Sequence, residues 1–589
     1  MKKKKGFIIL FIIIAFLFAL LLELSKNTLW GWALFAAVMA AFLVVRLKLK
    51  SDRRSIRFLS WIGLFAVLFL IFKLSYPPYK RVPAVNVKDP EITETVTISQ
   101  GQLSGVKNAE KDVEVFAGIP YAAAPVGDLR WKEPQEPGKW EGVRACDHFA
   151  PKFMQREHSS LWDSLVMLVV YNHFNWFDPT DNYREEMSED ALYVNVWKPA
   201  GDISDCPVIF YIHGGFLQTG SPSYDQYNGE AFAKRGIVFV DFGYRLNIFG
   251  YFADEKLALE SENNTTGNYG LLDQIAALRW VHENIEAFGG DPDNITIAGE
   301  SAGSSSVNAI CVSPLSKGLF RRAIGESSSI AVNTPYHTFT AFDEALEKKN
   351  AVYEKIKVSD PDELRNIDAR TLVKASGEYN AMTLDGYAIK EQPAETYKKG
   401  ENNEEALLNG FNAREAHVFT ILGPRVTKEN YLDILKEKLG DCAEEVAQLY
   451  PPGDDPKGQY NTVMSAAWFA YGHNVWSSYM ADEGRPVFEY LFNEKNKGLS
   501  NNHGGELPYF YGNLYTQPQN YVPYDYELSD TIMDYIENYV RTGNPNGEGL
   551  PVWQDFSKDR TKVFELSEEI GLTEDPYLKL YDILNRSQE

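Results

Sequence analysis

Thr296-Ile297-Ala298-Gly299-Glu300-Ser301-Ala302-Gly303 reads as a strand that runs into a sharp turn and lifts one serine out of a sheet. A strand-to-helix elbow strains the backbone at its apex. Side chains two residues either way collide across the turn, so glycine at 299 and 303 is a physical requirement. The bare pattern is weak, and the surrounding sequence has to carry it. Upstream, Val208-Ile209-Phe210-Tyr211-Ile212 is a short apolar run of the kind buried in a parallel sheet. It empties into His213-Gly214-Gly215-Phe216, a glycine-rich turn that offers bare N–H groups. Alone, that turn is an ordinary connection between a strand and a helix. Ahead of a serine elbow it reads as a place to hold an oxyanion.

Further blocks follow in order. They are Phe116-Ala117-Gly118-Ile119-Pro120-Tyr121-Ala122, Ser188-Glu189-Asp190-Ala191-Leu192-Tyr193-Val194-Asn195-Val196-Trp197, Tyr244-Arg245-Leu246, Gly267-Asn268-Tyr269-Gly270-Leu271-Leu272-Asp273-Gln274, His503-Gly504-Gly505-Glu506-Leu507-Pro508-Tyr509 and Thr542-Gly543-Asn544-Pro545-Asn546. With the elbow, these blocks resemble the type-B carboxylesterases, the cholinesterase-like and para-nitrobenzyl-esterase-like branch of the α/β-hydrolases. The resemblance implies an α/β fold with a mostly parallel central sheet flanked by helices over residues 95–589. It also implies an acyl-transfer esterase that needs no metal or organic cofactor.

A serine hydroxyl is a poor nucleophile until a base reaches it and an acid orients the base. In this fold the chain order is Ser, acid, His. That order leaves His337, His417, His473 and His503 as candidates. His503 stands in a polar loop, Asn501-Asn502-His503-Gly504-Gly505, inside a block that matches the family, and is the expected base. His473 lies in a helix-like run, Ala466 to Tyr479, and reads as a half-buried structural histidine. The resemblance assigns the acid to Glu415 in Gly410-Phe411-Asn412-Ala413-Arg414-Glu415, with Asp385 as runner-up; Asp385-Gly386 otherwise makes a turn. By the same resemblance, the N–H groups of Gly215, Phe216 and Ala302 form the oxyanion hole around a Ser301 nucleophile. Glu300 is expected to point away from the reaction centre, into a buried salt bridge or polar network.

The chain departs from the family pattern in two places. Phe216 stands where glycine or alanine is usual, which puts a phenyl ring beside the reaction centre or shifts the turn by one residue. Ala191 and Met154 stand where a disulfide is common. The four cysteines, Cys146, Cys206, Cys311 and Cys442, are scattered and do not read as a disulfide framework. Glu401 to Glu405 reads as a solvated acidic loop.

The first eighty residues are a different object. Charge-free apolar runs span Gly6–Leu22, Thr28–Val45 and Phe58–Phe72. The expectation is a membrane anchor over residues 1–76, with helices near 6–24, 28–45 and 56–74, then a linker over 77–94. Two spans plus an interfacial helix is the alternative. Residues 1–81 hold 14 Lys and Arg against 2 Asp and Glu, whereas the rest of the chain holds 44 against 79. Lys2–Lys5 and the cluster from Arg46 to Arg57 flank the first and second runs. They place the amino terminus and second connection in the cytoplasm, and the domain beyond the third run outside it. So acidic a domain argues against nucleic-acid binding. Oligomeric state has no signal.

Between Gln155 and Ser188 the chain is longer than the family's usual connection, with apolar residues from Leu161 through Phe177. Three readings stand: a lid or membrane-resting surface, an ordinary packed helix, and a cation–π site at Trp176. For the whole protein, the expectation is a cell-membrane, multi-pass serine carboxylesterase acting on a small-molecule ester. The alternative is a catalytically weak or inactive cell-surface binding protein on the same scaffold; Ser301, Glu415 and His503 together favour the enzyme.

Overall fold

The computed structural model describes residues 2–48, 54–156, 184–332, 339–375, 377, 379–421 and 423–588. Residues 157–183, on which the lid and Trp176 readings fall, and His337 lie outside the described residues. The chain divides into two units, one of Met1–Arg81 with Glu157–Glu186 and one of Val82–Arg156 with Met187–Glu589.

The first unit contains helices α1 (Lys2–Leu24), α2 (Leu29–Lys48) and α3 (Arg54–Leu74). Each carries a 20-residue stretch long and apolar enough to cross a membrane: Lys5–Leu24, Leu29–Lys48 and Ser55–Leu74. The helices overrun the charge-free runs because backbone hydrogen bonding does not stop at a charged side chain, and Arg57 and Lys73 are long enough to snorkel. Leu22, Phe35, Met39, Leu64, Leu68 and Ile71 form a small shared core, while Phe16, Phe58 and Phe69 face outward. A helix apolar on its outer face as well suits hydrocarbon rather than water. At one end, Asn27 donates to the Phe72 carbonyl at 2.9 Å and to the Ser75 hydroxyl at 2.7 Å, tying the α1–α2 turn to the end of α3. Just beyond α3, Tyr79–Lys80 pairs in parallel with Arg184–Glu185, and the Arg184 guanidinium sits over the rings of Tyr76 and Tyr79.

Among the described residues, the second unit is built on an 11-stranded sheet. In chain order its strands are β1 (Val106–Lys107), β2 (Val113–Pro120), β3 (Tyr193–Pro199), β4 (Cys206–Ile212), β5 (Val238–Phe242), β6 (Gly290–Glu300), β7 (Arg322–Glu326), β8 (Ala406–Asn412), β9 (Val487–Phe492), β10 (Lys562–Leu566) and β11 (Gly571–Glu574). Their spatial order is β11-β10-β9-β8-β7-β6-β4-β5-β3-β2-β1. The strands from β10 to β5 are mutually parallel, and the two edges are antiparallel. Successive side chains on β4 feed opposite cores. Val208, Phe210 and Ile212 join one, and Ile209 and Tyr211 join the other. Burial on both faces is why this strand reads as an unbroken apolar run rather than an alternating one.

Two of the sequence blocks interlock through a fully buried ion pair. Arg245 Nη2 meets Asp273 Oδ1 at 2.6 Å, Arg245 Nε meets Oδ2 at 2.7 Å, and the Arg245 backbone N–H also donates to Oδ2 at 3.0 Å. Removing one partner strands the other charge in a dry site. Asp273→Ala is therefore expected to cost about 3–5 kcal/mol, read as a lowered unfolding midpoint of the full chain in detergent.

Several local expectations need correction. Glu404 is not part of a solvated loop: it is fully buried and accepts from Tyr397 Oη at 2.9 Å and Trp476 Nε1 at 3.1 Å. His473 is completely buried rather than half-buried, and neither ring nitrogen has a hydrogen-bond partner among the described residues. Burial pushes it down to about 3, so it stays neutral. Asp385 holds its turn by accepting from the N–H groups of Tyr387 and Ile389. All four cysteines are free thiols, and Ala191 and Met154 are packed into the core.

Candidate active site

The sequence-predicted residues stand at the carboxyl ends of four parallel strands, β4, β6, β8 and β9. In open α/β sheets, that edge is where ligands bind. Ser301 follows β6 directly and precedes the helix Ala302–Val312, with φ +57° and ψ −128°. The glycines of the elbow are steric necessities. A Cβ on Gly299 meets the Gly303 carbonyl carbon at 2.7 Å, and one on Gly303 meets the Ile212 carbonyl oxygen at 2.0 Å. The Ser301 N–H donates to the Glu326 carbonyl at 2.8 Å, which ties the apex to β7. Ala302 opens the following helix, where the first N–H groups have no acceptor within the helix itself.

The turn after β4 lies against this elbow. A Cβ on Gly214 meets the Glu300 carbonyl oxygen at 2.6 Å and Ser301 Cβ at 3.0 Å, so the backbone passes within contact of the serine. Gly215 has φ +108°, and Phe216 and Leu217 both have φ +57°. Two consecutive left-handed residues with side chains are uncommon and mark a turn held by its surroundings. Gly215 supplies the holding acceptor: its carbonyl accepts from the N–H groups of Gln218 and Thr219, both at 3.0 Å.

Glu415 and His503 come from different loops that are stitched together. The Arg414 N–H donates to the Asn501 carbonyl at 2.9 Å, and Arg414 forms a parallel bridge with Asn502. Glu415 is fully buried. Its Oε2 lies 2.6 Å from His503 Nδ1, and its Oε1 accepts from the Asn412 N–H at 2.7 Å. Among the described histidines after Ser301, only His503 pairs with a carboxylate.

Glu300 departs from expectation. It is buried and ion-paired, but it does not point away: Oε1 lies 3.2 Å from His503 Nε2. The imidazole is thus held between carboxylates at both nitrogens. Burial alone would lower its pKa, yet Glu300 and Glu415 outweigh burial and push it up to about 9. For Glu300, burial raises the carboxyl to about 7 against the pull of His503. The clue was Glu300's position one residue before the serine on the same elbow. Phe419 and Phe469 were also missed. Their ring centroids each lie 5.0 Å from His503, and Phe216 packs edge-on to Phe419 at 5.5 Å. Their partners are remote in sequence, and an isolated phenylalanine carries no local signal.

The other histidines are differently placed. His213 stacks on Tyr244 at 4.5 Å, and burial pushes it down to about 4. His417 also falls to about 4 through burial, with Arg414 adding to the effect.

A strained serine, a turn pressed against it and a carboxylate-held imidazole facing the same elbow together suit acyl transfer. Comparison with known proteins agrees. The carboxylesterase family profile matches residues 92–581. The para-nitrobenzyl esterase of Bacillus subtilis (strain 168) is 32% identical over 501 residues, covering 82% of this chain and 96% of that protein. Fumonisin B1 esterase of Sphingopyxis macrogoltabida is 32% identical over 445 residues, covering 73% and 77%. A crystal structure of a carboxylesterase from Geobacillus stearothermophilus superposes with a TM-score of 0.71 at 32% identity, covering 83% of this chain and 99% of that one. The α/β-hydrolase sheet and the esterase relatives make this chain a carboxylic-ester hydrolase, and it belongs to the carboxylesterase family.

Proposed function

We propose that this hydrolase works through Ser301, His503 and Glu415 and is held in a membrane by α1–α3. The observation that carries the catalytic part is the 2.6 Å contact between Glu415 and His503 Nδ1, which turns Nε2 toward the Glu300–Ser301 elbow. Ser301 Oγ attacks the ester carbonyl carbon while His503 Nε2 takes its proton, and Glu415 stabilises the resulting imidazolium. The N–H groups of Gly215, Phe216 and Ala302 receive the charge that develops on the carbonyl oxygen. His503 then passes its proton to the alkoxide oxygen of the leaving alcohol, and the acyl group remains on Ser301. Water attacks the acyl-enzyme with His503 again as base, releasing the acid and restoring the serine. The Phe216 ring against Phe419 narrows the space beside the base, which favours esters of slender alcohols over bulky ones.

The length and outward apolar faces of α1–α3 support the anchor. The Lys and Arg bias at the amino terminus and around the second connection supports a catalytic unit outside the cytoplasm. Cell fractionation tests both halves. Hydrolysis of p-nitrophenyl butyrate is expected to sediment with membranes and to disappear when intact cells stripped of any wall are treated with protease. Activity in the soluble fraction would remove the anchor, and protection from protease would reverse the orientation.

A further inference from the structure

The end of β7 carries a carboxyl group that this mechanism does not use. Glu326 is the register partner of Glu300 on the neighbouring parallel strand, so both side chains leave the sheet at the same level. Its side chain is wholly inaccessible to solvent. Tyr511 Oη donates to Glu326 Oε1 at 2.6 Å, and Oε2 has no hydrogen-bond partner among the described residues. The next residue, Ser327, donates its hydroxyl to Glu506 Oε1 at 2.9 Å. Glu506 Oε2 accepts from the Asn412 side-chain amide, and the Asn412 N–H reaches Glu415. Glu300, Glu326, Glu415 and Glu506 therefore share one buried region with a single imidazole.

The ionisable groups facing Glu326 are Glu300 from β6, Tyr211 from β4, Tyr490 from β9, and Glu506 and Tyr511 from around the helix Leu507–Phe510. No lysine or arginine is among them. Glu300 has His503 as a counter-charge, and Glu326 has none among the described residues. Adjacent buried carboxyls cannot all ionise, so protons settle on the members without a cation, Glu326 and Glu506. Burial pushes Glu326 up to about 8, with Glu300 adding to it and Tyr511 opposing.

We propose that Glu326 is a positioning residue that works as a neutral acid, leaving Glu300 as the carboxylate charge beside His503 Nε2 and so setting the pH at which the base becomes available. When Glu326 ionises, a second charge beside Glu300 strengthens the cluster's hold on its remaining protons. One of those protons is on His503, which must lose it to act as base. The ascending limb of activity is then spread over two coupled ionisations between about pH 8 and 9. This rests on the reading of Ser301, His503 and Glu415 as the reacting groups.

The test is the pH profile of kcat/KM for p-nitrophenyl butyrate, using the full chain in detergent. Glu326→Gln cannot ionise, so the ascending limb is expected to move to lower pH by roughly half a unit or more and to narrow toward a single ionisation. Glu326→Asp keeps a titrating carboxyl and restores the spread limb. Tyr511→Phe removes the hydroxyl that stabilises ionised Glu326 and moves the limb in the same direction as Glu326→Gln; it decides the matter if Glu326→Gln does not fold. A folded Glu326→Gln enzyme with the wild-type limb, beside an inactive Ser301→Ala control, would overturn the role of Glu326 alone. A Ser301→Ala enzyme that still hydrolyses ester would overturn the reading beneath it.

Discussion

Replacing Ser301 with alanine is expected to lower kcat for p-nitrophenyl esters by a factor on the order of 10^5 or more while leaving KM within a few-fold. In the proposed mechanism the acyl group transfers to this hydroxyl, and nothing else on the elbow can replace it. Glu300, one residue before, is a carboxylate already engaged by His503, and Ala302 offers only a backbone N–H. The substitution leaves the turn after β4 and the Phe419 and Phe469 rings in place, so binding is expected to persist. Comparing kcat and KM for the full chain and this variant in detergent separates loss of chemistry from loss of binding.

Glu415→Gln carries the second large effect, a fall of about 10^4 in kcat. In the proposed mechanism the 2.6 Å contact fixes which imidazole nitrogen holds the proton and stabilises the imidazolium that forms as Ser301 attacks. An uncharged amide does neither reliably, because its NH2 group can pair with Nδ1 and present the wrong tautomer. The pH dependence supplies a sign. Glu415 is one of the carboxylates that raise His503 to about 9, so its removal lowers that value. Because the base acts only when unprotonated, the ascending limb of the residual activity moves to lower pH. Measuring that limb from pH 5 to 10 distinguishes an electrostatic role from a packing role, since a packing defect lowers the whole profile without displacing it.

What was legible in the sequence was chemistry at fixed offsets along one strand and its turn. Gly299, Ser301 and Gly303 could be read because the close approach of Gly299 to Gly303 is local, between residues four apart, although the tightest clash at Gly303 is with Ile212 on the neighbouring strand. The β4 run ending in His213-Gly214 was legible for the same reason. Glu404 was not: five polar or acidic residues in a row look solvated, and burial was decided by Tyr397 and by Trp476, 72 residues away. Glu300 was misread because the backbone direction at an elbow says nothing of where a loop some 200 residues later will bring an imidazole. The aromatic walls of the site are of the same kind. Phe419 and Phe469 meet at His503, and Phe216 reaches Phe419, only because segments far apart in the chain converge at the carboxyl edge of one sheet. The N-terminal helices were legible in number, whereas their ends were set by backbone hydrogen bonding through the flanking charges.

The proposed mechanism requires the acyl group to rest on Ser301 between its two steps. Full-length protein turning over a p-nitrophenyl ester, quenched in acid and digested for mass spectrometry, should carry the acyl mass on the peptide that contains Ser301. That adduct should be absent from Ser301→Ala. An acyl group on any other residue, or undiminished hydrolysis by Ser301→Ala, would contradict it.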